Sequence, residues 1–173
     1  MQFVSKIGAG ILLLTLSISF TGFAQNSNNT AKDNIPFNWK SMEEARELAQ
    51  QDGKKVLIYA NAVWCTYCKK QEKEVFSQQN VQELTNEHFY TVWLDIESEE
   101  KLIFRGEEVS QRDFARAMRI TGTPTFIFLD SEGEIIAGQP GFIPEELYLQ
   151  ILRFVGTNAY LDQSFEEFAD LEG

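Results

Sequence analysis

The apolar residues of this chain alternate between two rhythms, one of helices and one of buried strands. Within residues 41–51, Met42, Ala45, Leu48 and Ala49 recur at three- and four-residue spacing, the stripe of an amphipathic helix. Ser41 with Glu44 three residues on is a capping-box pattern, and Asp52-Gly53 ends the helix. Val56-Leu57-Ile58-Tyr59-Ala60 is a continuous, partly β-branched run and predicts a buried strand over 55–61. Helices are predicted over 69–78 and 80–86, and a second buried strand over 89–96. The charged stretch 97–108 holds the apolar patch Leu102-Ile103-Phe104 and a turn signal at Arg105-Gly106-Glu107, which predicts a loop or a small hairpin. Ser110 caps a predicted helix over 110–119 with Phe114, Ala117 and Met118 on its apolar face. Residues 122–130 and 134–137, parted by Ser131-Glu132-Gly133, predict a β-hairpin whose first strand is buried on both faces. Pro144 suits the first turn of a helix over 144–155 faced by Leu147, Ile151, Leu152 and Val155. A short acidic helix over 164–171 follows. The order predicts one α/β domain.

The N-terminus stands apart from this pattern. Lys6 precedes an uncharged apolar or small run over 7–20, and Gly22-Phe23-Ala24 is a small-x-small cleavage site. These are the parts of a secretory signal over residues 1–24, cleaved after Ala24. Gln25, not Cys, follows, which argues against a lipid anchor. The alternative is an uncleaved membrane anchor, although the run is short of the ~20 residues a span needs. Residues 25–36 are polar and Asn-rich, a flexible segment, and 37–173 suit one domain with one core. The expected location is periplasmic or secreted. Removing residues 1–24 takes away one lysine and no acid, leaving 14 basic against 26 acidic side chains, a net charge of −12. Such an acidic protein is a poor partner for nucleic acid.

The chain has two cysteines, and they stand three apart in Trp64-Cys65-Thr66-Tyr67-Cys68, between a predicted strand and a predicted helix. A thiol at a helix N-terminus meets unpaired backbone N–H groups and the helix dipole, which favour the thiolate. The second thiol lies one turn on, within reach of the first. Two cysteines cannot furnish a tetrahedral zinc site alone, and no flavin or nucleotide motif is present, so no metal or cofactor is predicted. An inert structural disulfide is the other reading, but a loop this short removes little chain entropy. Exported proteins that use cysteines as scaffold usually carry several pairs. The pair therefore points to thiol–disulfide chemistry, with Cys65 as an exposed nucleophile and Cys68 as the more buried resolving thiol. Lys69 and Lys70 are either solvated or help to lower the thiol pKa. His88, ahead of a strand, is expected at the surface. Arg112, Arg116 and Arg119 fall on one helix flank, either a solvated face or a docking patch for an acidic partner.

The motif order, with Trp-Cys-x-x-Cys after the first core strand and Gly122-Thr123-Pro124-Thr125-Phe126 some fifty-five residues later, resembles the thioredoxin superfamily. The likeness spans residues 37–156. It implies a thioredoxin fold: a central mixed β-sheet flanked by helices, here with a short C-terminal helical extension. It also implies a cis Thr123–Pro124 bond lying against Cys65, and a monomer. Trp39-Lys40-Ser41-Met42 and Gly53-Lys54-Lys55-Val56-Leu57 look like the exported thioredoxin-related branch. Gly138-Gln139-Pro140-Gly141-Phe142 and Phe154-Val155-Gly156, with Tyr160 and Ser164-Phe165, look like the periplasmic SoxW type. Those proteins are implied to be thiol reductants recharged by a membrane electron donor of the DsbD/CcdA kind.

By the same resemblance Trp64, Thr66, Tyr67, Thr123 and Pro124 form the substrate-binding surface, where Thr123 offers its backbone to an extended protein thiol or disulfide substrate. The chain departs from cytosolic thioredoxins in two places. Thr66-Tyr67 replaces Gly-Pro between the cysteines, and Tyr59 stands where those proteins carry a buried, proton-moving Asp. Tyr59 itself, a water, Asp95 or Glu72 are the alternatives for that role. Tyr67 and Thr123 together also resemble the DsbC-type isomerases. Reductase is therefore the leading expectation, beside isomerase or oxidase, or a client-binding module with little turnover.

Overall fold

A computed structural model describes residues 37–172. The signal and flexible segment expected over 1–36 lie outside the described residues. The elements are α1 (Met42–Asp52), β1 (Lys55–Asn61), α2 (Thr66–Gln71), α3 (Gln79–His88), β2 (Phe89–Asp95), β3 (Lys101–Phe104), β4 (Glu107–Ser110), α4 (Gln111–Ala117), β5 (Thr125–Leu129), β6 (Ile135–Pro140), α5 (Glu145–Gly156) and α6 (Phe165–Glu172). Strands β2, β1, β5 and β6 form one sheet in that order. β1 runs parallel to β2 and antiparallel to β5, and β5 runs antiparallel to β6. The mixed sheet flanked by helices is the thioredoxin fold.

Strand β1 is buried at all seven positions because helices cover both faces of the sheet. A strand in that place must be apolar throughout, and it shows no alternation. Its odd residues Leu57 and Tyr59 face Phe76, Phe126, Tyr148 and Leu152. Its even residues Val56, Ile58 and Ala60 face Met42, Ala45, Ala49 and Phe114. Ser41 caps α1 as its pattern requires, accepting the Glu44 N–H at 3.1 Å.

Several expectations need correction. The helix after the cysteines starts at Thr66, not at residue 69, because Cys65 itself caps it. From Glu72 to Phe76 it widens into a π turn, with Val75 and Phe76 both buried. Pro144 is the N-cap of α5 with extended backbone (ψ 153°), so it lies just outside the first turn. Of the loop or small hairpin expected over 97–108, the hairpin is what forms, over residues 101–110, and its turn residues Arg105 and Gly106 both have positive φ, 54° and 82°. Both central residues of a tight two-residue hairpin turn adopt this conformation. Arg105 is held there by bonds from its guanidinium to the Gly133 carbonyl and the Glu134 carboxylate. His88 is half-buried, not a free surface residue: its ring packs so closely on Gly156 that a Cβ there would meet it at 2.6 Å. For Arg112, Arg116 and Arg119, read from sequence as either a solvated face or a docking patch, the surroundings are local. Arg112 pairs with Glu99, Arg116 pairs with Asp113, and Arg119 lies beyond the end of α4.

Lys55, at the start of β1, is buried and donates to the Gly156 carbonyl at 3.1 Å. An ammonium suits a helix C-terminus, where unpaired carbonyls collect. The C-terminal extension packs through Phe165 and Phe168, whose ring centroids each lie 5.3 Å from that of Phe154. Among the described residues no helix is long and apolar enough to cross a membrane.

Phe126 is completely buried between Tyr59, Phe76 and Tyr148. Phe126→Ala should lower the unfolding free energy by about 3–5 kcal/mol, measured by urea titration of the oxidised protein.

Candidate active site

The turn after β1 is built by short backbone bonds. The Cys65 N–H donates to the Ala62 carbonyl at 3.0 Å, and Cys65 keeps an extended conformation (φ −72°, ψ 103°) as the N-cap of α2. Its Sγ accepts the Cys68 N–H at 3.0 Å. This is the bond an N-cap makes with the third residue of a helix. Cys65 and Cys68 are joined as a disulfide, with Cα atoms 5.2 Å apart. Asn61 pins the end of β1: its Nδ2 donates to the Leu94 carbonyl of β2 at 3.1 Å, and its own carbonyl accepts the Ile96 N–H.

Cys65 is not exposed in this state. Its relative exposure is 3%, because the sulfur turns inward to Cys68 and to that residue's N–H. What projects outward is the collar around it: Val63, Trp64 and Tyr67 are 77%, 60% and 62% exposed. Thr66 is exposed as well. Large apolar side chains left open to water in one place mark a contact surface.

The register of β1 with β5 brings the proline to the same end of the sheet. Ala60 pairs with Thr125, so Pro124, one residue earlier, stands level with the end of β1, from which the cysteine turn departs. The Thr123–Pro124 bond is cis. Pro124 is buried, and its carbonyl accepts the Gly141 N–H at 2.8 Å. Thr125 Oγ1 donates to the Gly122 carbonyl at 2.7 Å, which closes the loop before β5.

Beneath the disulfide lies a polar pair. Tyr59 Oη is within hydrogen-bond distance of the Cys68 carbonyl (3.3 Å) and of Glu72 Oε1 (3.2 Å), so its one proton serves both acceptors. Burial, reinforced by the Glu72 charge, pushes the Tyr59 phenol far above its ordinary value, and it stays protonated. Burial also raises the Glu72 carboxyl above the usual carboxylate range, opposed by the Tyr59 hydrogen bond and the Lys69 charge. Asp95, opposite Asn61 at the end of β2, has its carboxylate engaged by the N–H of Glu97 in a local turn. Lys70 is not simply solvated: its ammonium lies 4.3 Å from the centroid of the Phe142 ring.

Two features escape the sequence pattern. One is the meeting of Tyr59 with Glu72, thirteen residues apart. The other is Gln71, which is completely buried one turn beyond Cys68 and accepts the Ile143 N–H at 2.9 Å. A glutamine at an apolar position of the helix face was the available signal. Chemically, a disulfide at a capped helix start, with a half-buried carboxyl in the same helix and an exposed apolar collar, suits reversible exchange with other thiols.

Comparison with known proteins agrees with this geometry. The disulfide bond reductase DsbH of Chlamydia pneumoniae is 28% identical over 109 residues, covering 61% of this chain and 63% of that protein. The thiol:disulfide interchange protein DsbD of Yersinia pestis is 29% identical over 152 residues, covering 84% of this chain but 24% of that protein. The chain thus spans less than two thirds of the first and about a quarter of the second. A thioredoxin-fold protein from Helicobacter pylori superposes with a TM-score of 0.63 at 23% identity, covering 69% of this chain and 80% of its own, a likeness of fold. Residues 42–156 match the family described as thioredoxin-like domain, well over half of the sequence, and the chain belongs to that family.

Proposed function

We propose that this chain is an exported thiol–disulfide oxidoreductase that reduces protein disulfides through Cys65 and Cys68. The observation that carries the reading is the Cys65–Cys68 disulfide at the start of α2, ringed by Val63, Trp64 and Tyr67 and level with Pro124. In the reduced protein the Cys68 N–H, which meets Cys65 Sγ in the oxidised form, stabilises the Cys65 thiolate. That thiolate attacks one sulfur of a substrate disulfide. A mixed disulfide forms, and the first substrate sulfur leaves as a thiolate that takes a proton from water. Cys68 then loses its proton and attacks Cys65 Sγ. The second substrate sulfur leaves and is protonated. Two electrons have passed to the substrate, and the Cys65–Cys68 disulfide remains. Thr123 presents its backbone to the extended substrate, and Trp64, Thr66 and Tyr67 form the contact surface.

Glu72 is the group we assign to receive the Cys68 proton. It shares the Tyr59 hydroxyl with the Cys68 carbonyl, and its raised affinity for a proton suits a base. Tyr59 holds it in place and does not itself ionise.

The reducing direction is supported by the uncharged Thr66-Tyr67 pair between the cysteines and by the similarity to a protein named disulfide bond reductase. Similarity to DsbD supports a partner of that type as electron donor. Export rests on residues 1–24 and the SoxW likeness on the C-terminal motifs, both read from sequence alone. The Tyr67 and Thr123 pairing favours isomerase activity as the second reading.

Titration against dithiothreitol buffers should place the potential nearer the about −270 mV of thioredoxin than the about −120 mV of DsbA. A value at the oxidising end overturns the reductase reading. Cys65→Ser should abolish reduction of a protein disulfide, and Cys68→Ser should accumulate mixed disulfides visible on non-reducing gels. Glu72→Gln should slow release of the mixed disulfide by about tenfold or more, followed by rapid quench. The same substitution tests the linkage in the oxidised protein. A carboxyl whose folded pKa is raised stabilises the fold at low pH, and that stability is lost as pH rises through the raised value. As pH rises from the ordinary glutamate value of about 4 through the raised one, the midpoint of thermal unfolding should fall less in Glu72→Gln than in the wild type.

A further inference from the structure

Gln71 lies three residues after Cys68 on the inward face of α2 and is completely buried. Its Oε1 accepts the Ile143 N–H at 2.9 Å, and its Nε2 is buried without a hydrogen-bond partner. A methionine would fill similar space without an orphaned donor, and an unpaired buried donor is costly. Packing alone therefore does not account for a glutamine here. Its acceptor does. Ile143 is buried in an irregular segment that follows β6, where its N–H has no strand partner to serve it.

That same segment is tied at both ends to the exchange site. The Gly141 N–H donates to the Pro124 carbonyl, with Gly141 in a left-handed conformation (φ 90°). Phe142 carries the Lys70 ammonium on its ring. Consecutive residues of α2, Lys70 and Gln71, thus hold consecutive residues Phe142 and Ile143, and Gly141 holds Pro124.

We propose that Gln71 is a positioning residue for disulfide exchange: by fastening segment 141–143 to the redox helix it keeps the Thr123–Pro124 edge in register with the Cys65 and Cys68 sulfurs. The inference rests on the reductase reading above. Its effect falls on extended protein substrates, which use that edge, and not on small disulfides, which need only the sulfurs.

The test compares two substrates in the purified protein: insulin, as a protein disulfide, and a small aromatic disulfide. Gln71→Met removes the acceptor at similar size. It should raise KM for insulin about fivefold to tenfold, the scale of one lost hydrogen bond, with kcat and the small-disulfide rate unchanged. Gln71→Glu keeps the acceptor and should restore KM toward the wild-type value. Phe142→Leu loosens the segment from its other side and should move KM in the same direction, so a poorly folded Gln71→Met still leaves a readout. A Gln71→Met protein with a lower Tm but an unchanged KM for insulin overturns the inference, as does an equal loss on both substrates. A wild type that turns over neither substrate removes the reductase reading and this inference with it.

Discussion

Between β1 and β5, Val56 faces Leu129 and Ala60 faces Thr125. Much of the site depends on that register. Side chains alternate across a sheet, so a slip of one residue would send every side chain to the other face. Tyr59 would then leave Glu72 and the Cys68 carbonyl, and Leu57 would leave Phe126 and Phe128. The same register sets Pro124 beside the end of β1, where the cysteine turn leaves the sheet. Complete burial of β1 on both faces makes slippage costly, because each face offers a differently shaped core.

The polar groups around the redox helix are few, and most are partnered. Cys65 Sγ has the Cys68 N–H, Tyr59 Oη has Glu72 and the Cys68 carbonyl, and Gln71 Oε1 has the Ile143 N–H. Burying polar atoms costs free energy unless partners are found. A protein that keeps a tyrosine, a glutamate and a glutamine under a disulfide therefore gains something from them besides packing. For Glu72 the gain is a proton affinity set by burial. For Gln71 it is a fixed segment beside the proline. Lys55 follows the same rule at the opposite end of β1, where it serves the last carbonyl of α5 in a place where apolar contacts cannot.

Much of this was legible from one dimension. The stripe Met42, Ala45, Ala49, the run 56–60 and the capping serines at 41 and 110 are local signals, and each marks its element within a few residues. The cysteine spacing marks the chemistry, since two thiols one helical turn apart at a strand end have few other uses. The sequence alone was less informative where an element depends on its neighbours. It extended β6 only to residue 137, because the later positions Gly138, Gln139 and Pro140 carry no strand signal and are held by pairing to β5. It left 97–108 unsettled, because that hairpin is short and its apolar residues Leu102 and Phe104 are fixed by packing on α1 and α4.

The sequence by itself determined the order of elements, the strand buried on both faces and the position of the sulfur pair, because hydrophobic period, capping and turn chemistry act within a few residues. Tertiary structure alone decided that Cys65 is shielded in the disulfide. It also decided that Glu72, of the groups weighed, meets Tyr59, that His88 lies against Gly156, and that Gln71 reaches Ile143. Those facts arise from contacts between residues up to 72 positions apart. Burial and hydrogen bonding at such distances follow from how sheet and helices pack, and no local period records them.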